Sequence, residues 1–236
     1  MELTQFKLYH CPASRSVRVK WLLGELLGGD GFEQEIVSLY DGEQYHPEYL
    51  RKNPNHCVPT LKITTSPGES MHMFESGAMV ALLADAFPEK ALAPPPGDLS
   101  FRRADYLQML HFGSSSMDMM LWQIRAHEHL LPDRQQDART SKRYRRKFTA
   151  EVEPQLKCRL DAAPYICGED FSAADCIIGH NVIWARAQGL CYDDAFRYYQ
   201  ARISSRPAFL RAYADADAFT LEVPPEKRAA REAFTG

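Results

Sequence analysis

A chain of 236 residues, 45% hydrophobic and 25% charged, is long enough to bury one large core or two smaller ones. Its net charge of −3 gives no general attraction for nucleic acid or an anionic membrane surface, and no apolar run is long enough to span a bilayer. The N-terminus lacks a basic-then-apolar leader pattern, so the expected compartment is the cytoplasm. Cys11, Cys57, Cys158, Cys167, Cys176 and Cys191 show neither C-x-x-C nor zinc-ligand spacing, so no metal is expected. Cys158, Cys167 and Cys176 read as buried apolar residues.

The first element expected is a strand in "LTQFKLYH", followed by a tight loop and a helix in "SRSVRVKWLLGELLG" that Gly28 and Gly29 stop. "FEQEIVSLY" reads as a second strand and "PEYLRKNP" as a short helix. "TLKITT" and "MHMF" read as a hairpin around "SPGES", and "SGAMVALLADAF" as a helix capped by Ser76. The order β-α-β-α-β-β-α suits a small α+β domain. The prolines of "PEKALAPPPGD" mark a linker. Beyond it come a long helix interrupted around Gly113–Ser116, a second long helix over "DARTSKRYRRKFTAEVEPQLKCRLDAA", and a central apolar helix in "SAADCIIGHNVIWARAQG". Two shorter helices follow, the last opened by Pro207, and "PPEKRAAREAFTG" reads as a loosely held tail. The expected domains are therefore 1–88, a linker 89–98, and an all-helical 99–236. The basic run from Lys142 to Lys147 reads as a solvated helix face.

Four stretches carry candidate chemistry. In "YHCPASRSVRV", Tyr9, Cys11, Ser14 and Ser16 surround a helix N-terminus, where free N–H groups and the dipole favour an anion such as a thiolate. Ser14 also reads as a plain helix cap, Cys11 as an inert strand-end cysteine, and Ser16 as a first-turn residue. In "NPNHCVPTL", Val58-Pro59 before a strand is a candidate cis peptide able to turn backbone groups toward an extended ligand. Only about 5–6% of X–Pro bonds are cis, so alone this is weak. In "FESGAMV", Glu75 suits an ammonium group, and Ser76 with the following N–H groups suits a carboxylate. In "GEDFSAAD", Ser172 and Asp175 form a capping box with a structural role.

Together these features resemble the cytosolic glutathione transferases over residues 6 to about 217. "SRSVRVKWLLGELL" is similar to the first helix of bacterial members and "SRPAFLRAY" to their last. The resemblance implies an α+β, thioredoxin-like N-terminal domain followed by an all-α helical-bundle domain, with glutathione as co-substrate, a small hydrophobic electrophile as second substrate, and a homodimer. It implies that Val58, beside a cis Pro59, pairs with the cysteinyl part of glutathione and that Glu75 and Ser76 hold its γ-glutamyl end. "HCVP" departs from the family's "GKVP". Cys57 stands where a lysine helps hold the glycyl carboxylate, with His56, Arg51 and Lys52 as substitutes. Three residues are candidates for the thiol chemistry, ranked Ser14, Cys11, Tyr9. Ser14 matches the serine-type, theta-like members; "CPASRSVR" is also similar to the omega-like and glutaredoxin-type start, in which cysteine forms a mixed disulfide with glutathione. Tyr9 matches the tyrosine-type position. The electrophile pocket is expected from His10, Ala13, Tyr106, Met109, Phe112, Gly113 and Met117. The competing functions are a Cys11-dependent thiol oxidoreductase or lyase and a non-enzymatic ligand-binding protein on the same fold.

Overall fold

A computed structural model describes residues 2–216. The chain divides into two compact units, Met1–Ala86 with the chain from Pro207 on, and Phe87–Arg206.

The first unit is built on a four-stranded mixed sheet of order β2-β1-β3-β4. β1 (Glu2–His10) pairs parallel with β2 (Glu33–Ile36) and antiparallel with β3 (Thr60–Ser66), which pairs antiparallel with β4 (Ser70–Met73). The alternation of a strand puts Phe6, Leu8 and His10 on one face and Lys7 and Tyr9 on the other. β2 is shorter than "FEQEIVSLY" suggested: its residues lie at a sheet edge and none is buried. α1 (Ser16–Leu27) buries Val17, Val19, Trp21, Leu22, Leu23 and Leu26, and also Arg18, which is 1% exposed. A short α2 (Pro47–Leu50) and α3 (Ser76–Ala86) complete the thioredoxin-like element order. Ser76 is the first residue of α3 rather than the residue before it; Glu75 holds that place. Among the described residues two X–Pro bonds are cis, Val58–Pro59 and Ser66–Pro67 in the β3–β4 turn.

α10 (Pro207–Ala212) packs on α1. Trp21 meets Phe209 edge-to-face at 5.0 Å. Gly24 permits the approach, since a Cβ there would lie 3.4 Å from that of Ala208.

The second unit is helical. One continuous helix runs as α4 (Phe101–Phe112), a π turn (Gly113–Met117), α5 (Asp118–Arg125) and a second π turn (Ala126–Leu130). The interruption foreseen at Gly113 is this π turn, and its cause is packing. A Cβ on Gly113 would come within 2.6 Å of Ile178 and 2.8 Å of Ile177. The wider turn misaligns the helix's own bonding, and Asn181 Nδ2 donates to the Gly113 carbonyl at 2.7 Å. A second continuous helix comprises α6 (Ala138–Lys147), a π turn (Phe148–Val152) and α7 (Glu153–Ala162); Pro154, which has no N–H to give, sits at the start of α7. α8 (Ala173–Ala187) is the buried centre, and α9 (Asp194–Ser204) follows.

Two readings are corrected here. Of the cysteines 158, 167 and 176, only Cys176 is buried, and Cys158 is exposed. The basic run is not wholly solvated, because Arg145 grips Glu128 through two bonds (2.7 and 2.6 Å) and donates to the Gln188 carbonyl. Met119 is 40% exposed, while Met109, Met117 and Met120 are buried. The "PPEKRAAREAFTG" segment lies outside the described residues.

Candidate functional site

Three loops of the first unit carry the candidate residues, and each contains a non-glycine residue in the left-handed region: Ala13 (φ 53°), His56 (φ 44°) and Glu75 (φ 75°). Such conformations cost free energy and persist where surrounding structure imposes them, often at ligand sites.

The first loop joins β1 to α1. Ser14 does not occupy the cap position of α1, which Arg15 holds without a side-chain cap bond. Ser14 Oγ instead donates to the Cys11 carbonyl (2.7 Å) and lies 2.8 Å from Ser16 Oγ. Ser16, which the sequence presents as an ordinary first-turn residue, is the hub. Its Oγ accepts from the Cys11 N–H (3.1 Å) and lies 2.7 Å from His10 Nδ1. Ser14 keeps partial exposure, whereas Cys11 is 8% exposed and packs with Tyr9, Val37, Tyr49 and Val58 in one apolar cluster. Tyr9 is buried on the same face, with Tyr49 at its edge and Lys52 Nζ 4.6 Å from its ring centre.

The second loop carries the cis Val58–Pro59 peptide. The Cys57 carbonyl accepts from Tyr49 Oη (2.7 Å) and Asn53 Nδ2 (2.9 Å), and both donors also reach Thr60 Oγ1, so α2 and its flank clamp this loop. His56 stacks on Tyr45. Cys57 is an exposed residue whose sulfur lies 3.7 Å from Asn53 Nδ2. Burial of that sulfur raises its pKa above the ordinary thiol value. Asn53 pulls it down, Glu75 pushes it up and Arg15 pulls it down.

The third loop ends at Ser76, whose hydroxyl accepts from the buried Arg18 guanidinium at 3.2 Å. Arg18 thus fixes the start of α3 against α1. The loops converge: Cys11 packs with Val58, Arg15 and Glu75 both act on Cys57, and Arg18 holds Ser76. Arg15 is a site residue that sequence reasoning missed. Its place immediately before a helix was the available signal. With Lys52 over the Tyr9 ring and His56 on Tyr45, Arg15 is the cation that acts on Cys57.

Among the residues expected to line a pocket, His10 is fully buried and its ring is held by Ser16 and Asp215. In the helical unit Tyr106, Met109, Gly113 and Met117 are buried; Phe112 keeps partial exposure, as does Ala13 in the first unit. Ser172 and Asp175 form the expected capping box. Among the described residues no group of three or more His, Cys, Asp or Glu side chains is placed to hold a metal, and no helix is long and apolar enough to cross a membrane.

Comparisons with known proteins bear on the fold and the family. Residues 8–91 match the family model described as the glutathione S-transferase N-terminal domain. The disulfide-bond oxidoreductase YfcG of Escherichia coli K12 is 32% identical over 177 residues, covering 73% of this chain and 78% of that one. An uncharacterized GST-like protein of Streptococcus mutans is 27% identical over 228 residues, covering 87% of this chain and 80% of that one. A glutathione transferase family member from Pseudomonas fluorescens, solved with two glutathione bound, shares the fold at a TM-score of 0.76 and 23% identity, covering 89% of this chain and 92% of that one. The chain belongs to the glutathione S-transferase family.

Proposed function

We propose that this protein is a glutathione transferase that holds glutathione as a thiolate beside Ser14 and joins it to a small hydrophobic electrophile. One observation carries the reading: the Ser14 loop, the cis Val58–Pro59 loop and the Glu75–Ser76 turn meet in one place. In this reading the Val58 backbone pairs with the cysteinyl unit. Glu75 takes the γ-glutamyl ammonium, and Ser76 with the first N–H groups of α3 takes its carboxylate. Arg15 supplies the positive charge that Cys57 does not. Domain 1–88 binds glutathione, and Ala13 is the pocket candidate of the first unit that keeps exposure. The protein acts as a cytoplasmic homodimer.

The free thiol titrates near ~8.5. It releases its proton to solvent, the Ser14 hydroxyl turns from the Cys11 carbonyl to donate to the sulfur, and the thiolate electron pair attacks the electrophilic carbon. The bond broken there gives its electron pair to a leaving group, which departs as an anion, or to the far atom of a π bond, which takes a proton from solvent. The exchange is favourable because a charged acceptor forms the stronger bond. Ser14→Ala is expected to return the bound thiol pKa toward its free value and to lower turnover by about 10²-fold, the usual loss for one preorganised donor. Ultraviolet titration of the thiolate and steady-state rates check both; a variant unchanged in both overturns the reading.

A second reading is favoured by the likeness to a disulfide-bond oxidoreductase. The Cys11 thiolate would attack a glutathione disulfide, releasing one glutathione thiolate and forming a mixed disulfide that a second thiolate resolves. A glutathione adduct mapped to Cys11 by mass spectrometry, with activity lost in Cys11→Ser and kept in Ser14→Ala, selects this reading.

A further inference from the structure

The Ser14 loop rests on a line of hydrogen bonds that crosses the first unit. Ser14 Oγ lies 2.8 Å from Ser16 Oγ, Ser16 Oγ lies 2.7 Å from His10 Nδ1, and His10 Nε2 lies 3.2 Å from Asp215 Oδ2. The same Asp215 oxygen accepts from Lys20 Nζ at 2.6 Å. Asp215 follows α10, more than two hundred residues from the loop it supports.

The protons on this line can be assigned from valence. A carboxylate oxygen only accepts, so His10 Nε2 carries a proton. Lys20 already balances the Asp215 charge, and the ring is fully buried. Burial first, then Lys20, lowers its pKa to about 4 against the opposing pull of Asp215; these are the charged groups that act on it, one from α1 and one from the segment after α10. The ring is therefore neutral, and its bare Nδ1, at 2.7 Å, takes the Ser16 proton ahead of the Cys11 carbonyl, which lies 3.0 Å from the same oxygen. Ser16 Oγ is then an acceptor toward the Cys11 N–H, and it shares the single Ser14 proton with the Cys11 carbonyl, which lies 2.7 Å from Ser14 Oγ. The line points inward, from Ser14 to Ser16 to His10 to Asp215.

We propose that Asp215 and His10 are positioning residues which, through Ser16, set the direction in which the Ser14 hydroxyl donates. This rests on reading Ser14 as the group that holds the thiolate. When Ser14 turns its proton to a ligand sulfur, its oxygen and that of Ser16 are left facing each other with no proton between them, because His10 retains the Ser16 proton. The opposite imidazole tautomer reverses every bond: Nδ1–H donates to Ser16, Ser16 donates to Ser14, and Ser14 is free to donate outward with cooperative support. Asp215 selects between the two.

The test is Asp215→Asn, nearly isosteric: its amide nitrogen can stand in the place of Oδ2 and donate to Nε2, and Lys20, which shares that oxygen in the wild-type protein, then turns to the amide oxygen. Imidazole nitrogen NMR of the wild-type protein should show His10 neutral and protonated at Nε2 across pH 5–9. The variant should show protonation at Nδ1, and its bound glutathione thiol should titrate at least half a unit lower. Lys20→Met keeps the Asp215–His10 bond and should raise the His10 pKa. Wild-type His10 protonated at Nδ1, or titrating near its ordinary value, overturns the proposal. So does a tautomer that inverts with no change in the thiol pKa. If the wild-type protein binds no glutathione, the glutathione reading falls separately, and the imidazole spectra alone decide the direction of the line.

Discussion

At Cys57 the exposure of a residue and the state of its sulfur diverge. The residue is exposed, yet its thiol is pushed above the ordinary value by partial burial, with Glu75 adding to the rise and Asn53 and Arg15 opposing it. At pH 7.5 less of it is thiolate than of a free cysteine, and the thiolate is the reactive form. Alkylation by iodoacetamide, followed by peptide mass mapping, should be slower than for free cysteine and should keep rising beyond pH 9. Arg15→Gln removes a stabilising cation and should slow it further; Glu75→Gln removes a like charge and should speed it. Opposite responses would separate the cis-proline loop from the other two and remove the basis for a common site. Protection by glutathione would place the ligand over all three groups.

Among the elements, α8 depends most on one side chain. Asp175 is fully buried and accepts from the Ser172 N–H (2.8 Å) and hydroxyl (2.9 Å), the Ile166 N–H (3.0 Å) and Tyr199 Oη (2.8 Å). One carboxylate thus closes the capping box, pins the preceding loop and ties α8 to α9. Asp175→Ala strands these donors in the buried interior, so the loss should be about 3–5 kcal/mol, well beyond the ~1 kcal/mol of an ordinary cap. Urea unfolding of the variant checks it, and a cost near 1 kcal/mol would mean that α8 is held by its apolar contacts instead. The capping box was readable because Ser172 and Asp175 are three residues apart, and Val58–Pro59 and Glu75–Ser76 were readable for the same local reason. Ser16 was passed over because its role depends on His10 and on the folded loop. Asp215 was invisible because its bond to His10 spans 205 residues and leaves no periodicity. The short β2 escaped because an apolar-looking run does not reveal that its strand lies at an edge. Gly113 announced an interruption, but only the position of Ile177 and Ile178 makes it a π turn.

For the molecule as a whole, a buried neutral histidine links the stability of the first unit to pH. In an unfolded chain His10 takes up a proton near ~6.5; in the folded protein it does so only at about 4. Between these values the unfolded state binds more protons, so this contribution to stability is complete above the unfolded value and is lost as pH falls through the window. The 2.5-unit difference sets the loss at roughly 3 kcal/mol by pH 4, a large share of the stability of a domain. Acid should therefore open β1 and α1, which carry His10, Ser16 and Lys20. Amide hydrogen exchange resolves this directly. Protection in these two elements should fall between pH 6.5 and 4, and His10→Gln should flatten the fall, because glutamine can still bridge Ser16 and Asp215 but takes up no proton. The variant should lose about 1 kcal/mol at pH 7 through imperfect geometry and overtake the wild-type protein at about pH 5.7, where the wild-type loss reaches that value. If the two proteins keep parallel pH profiles, His10 is not the acid-sensitive group and its neutral state is not what holds the loop.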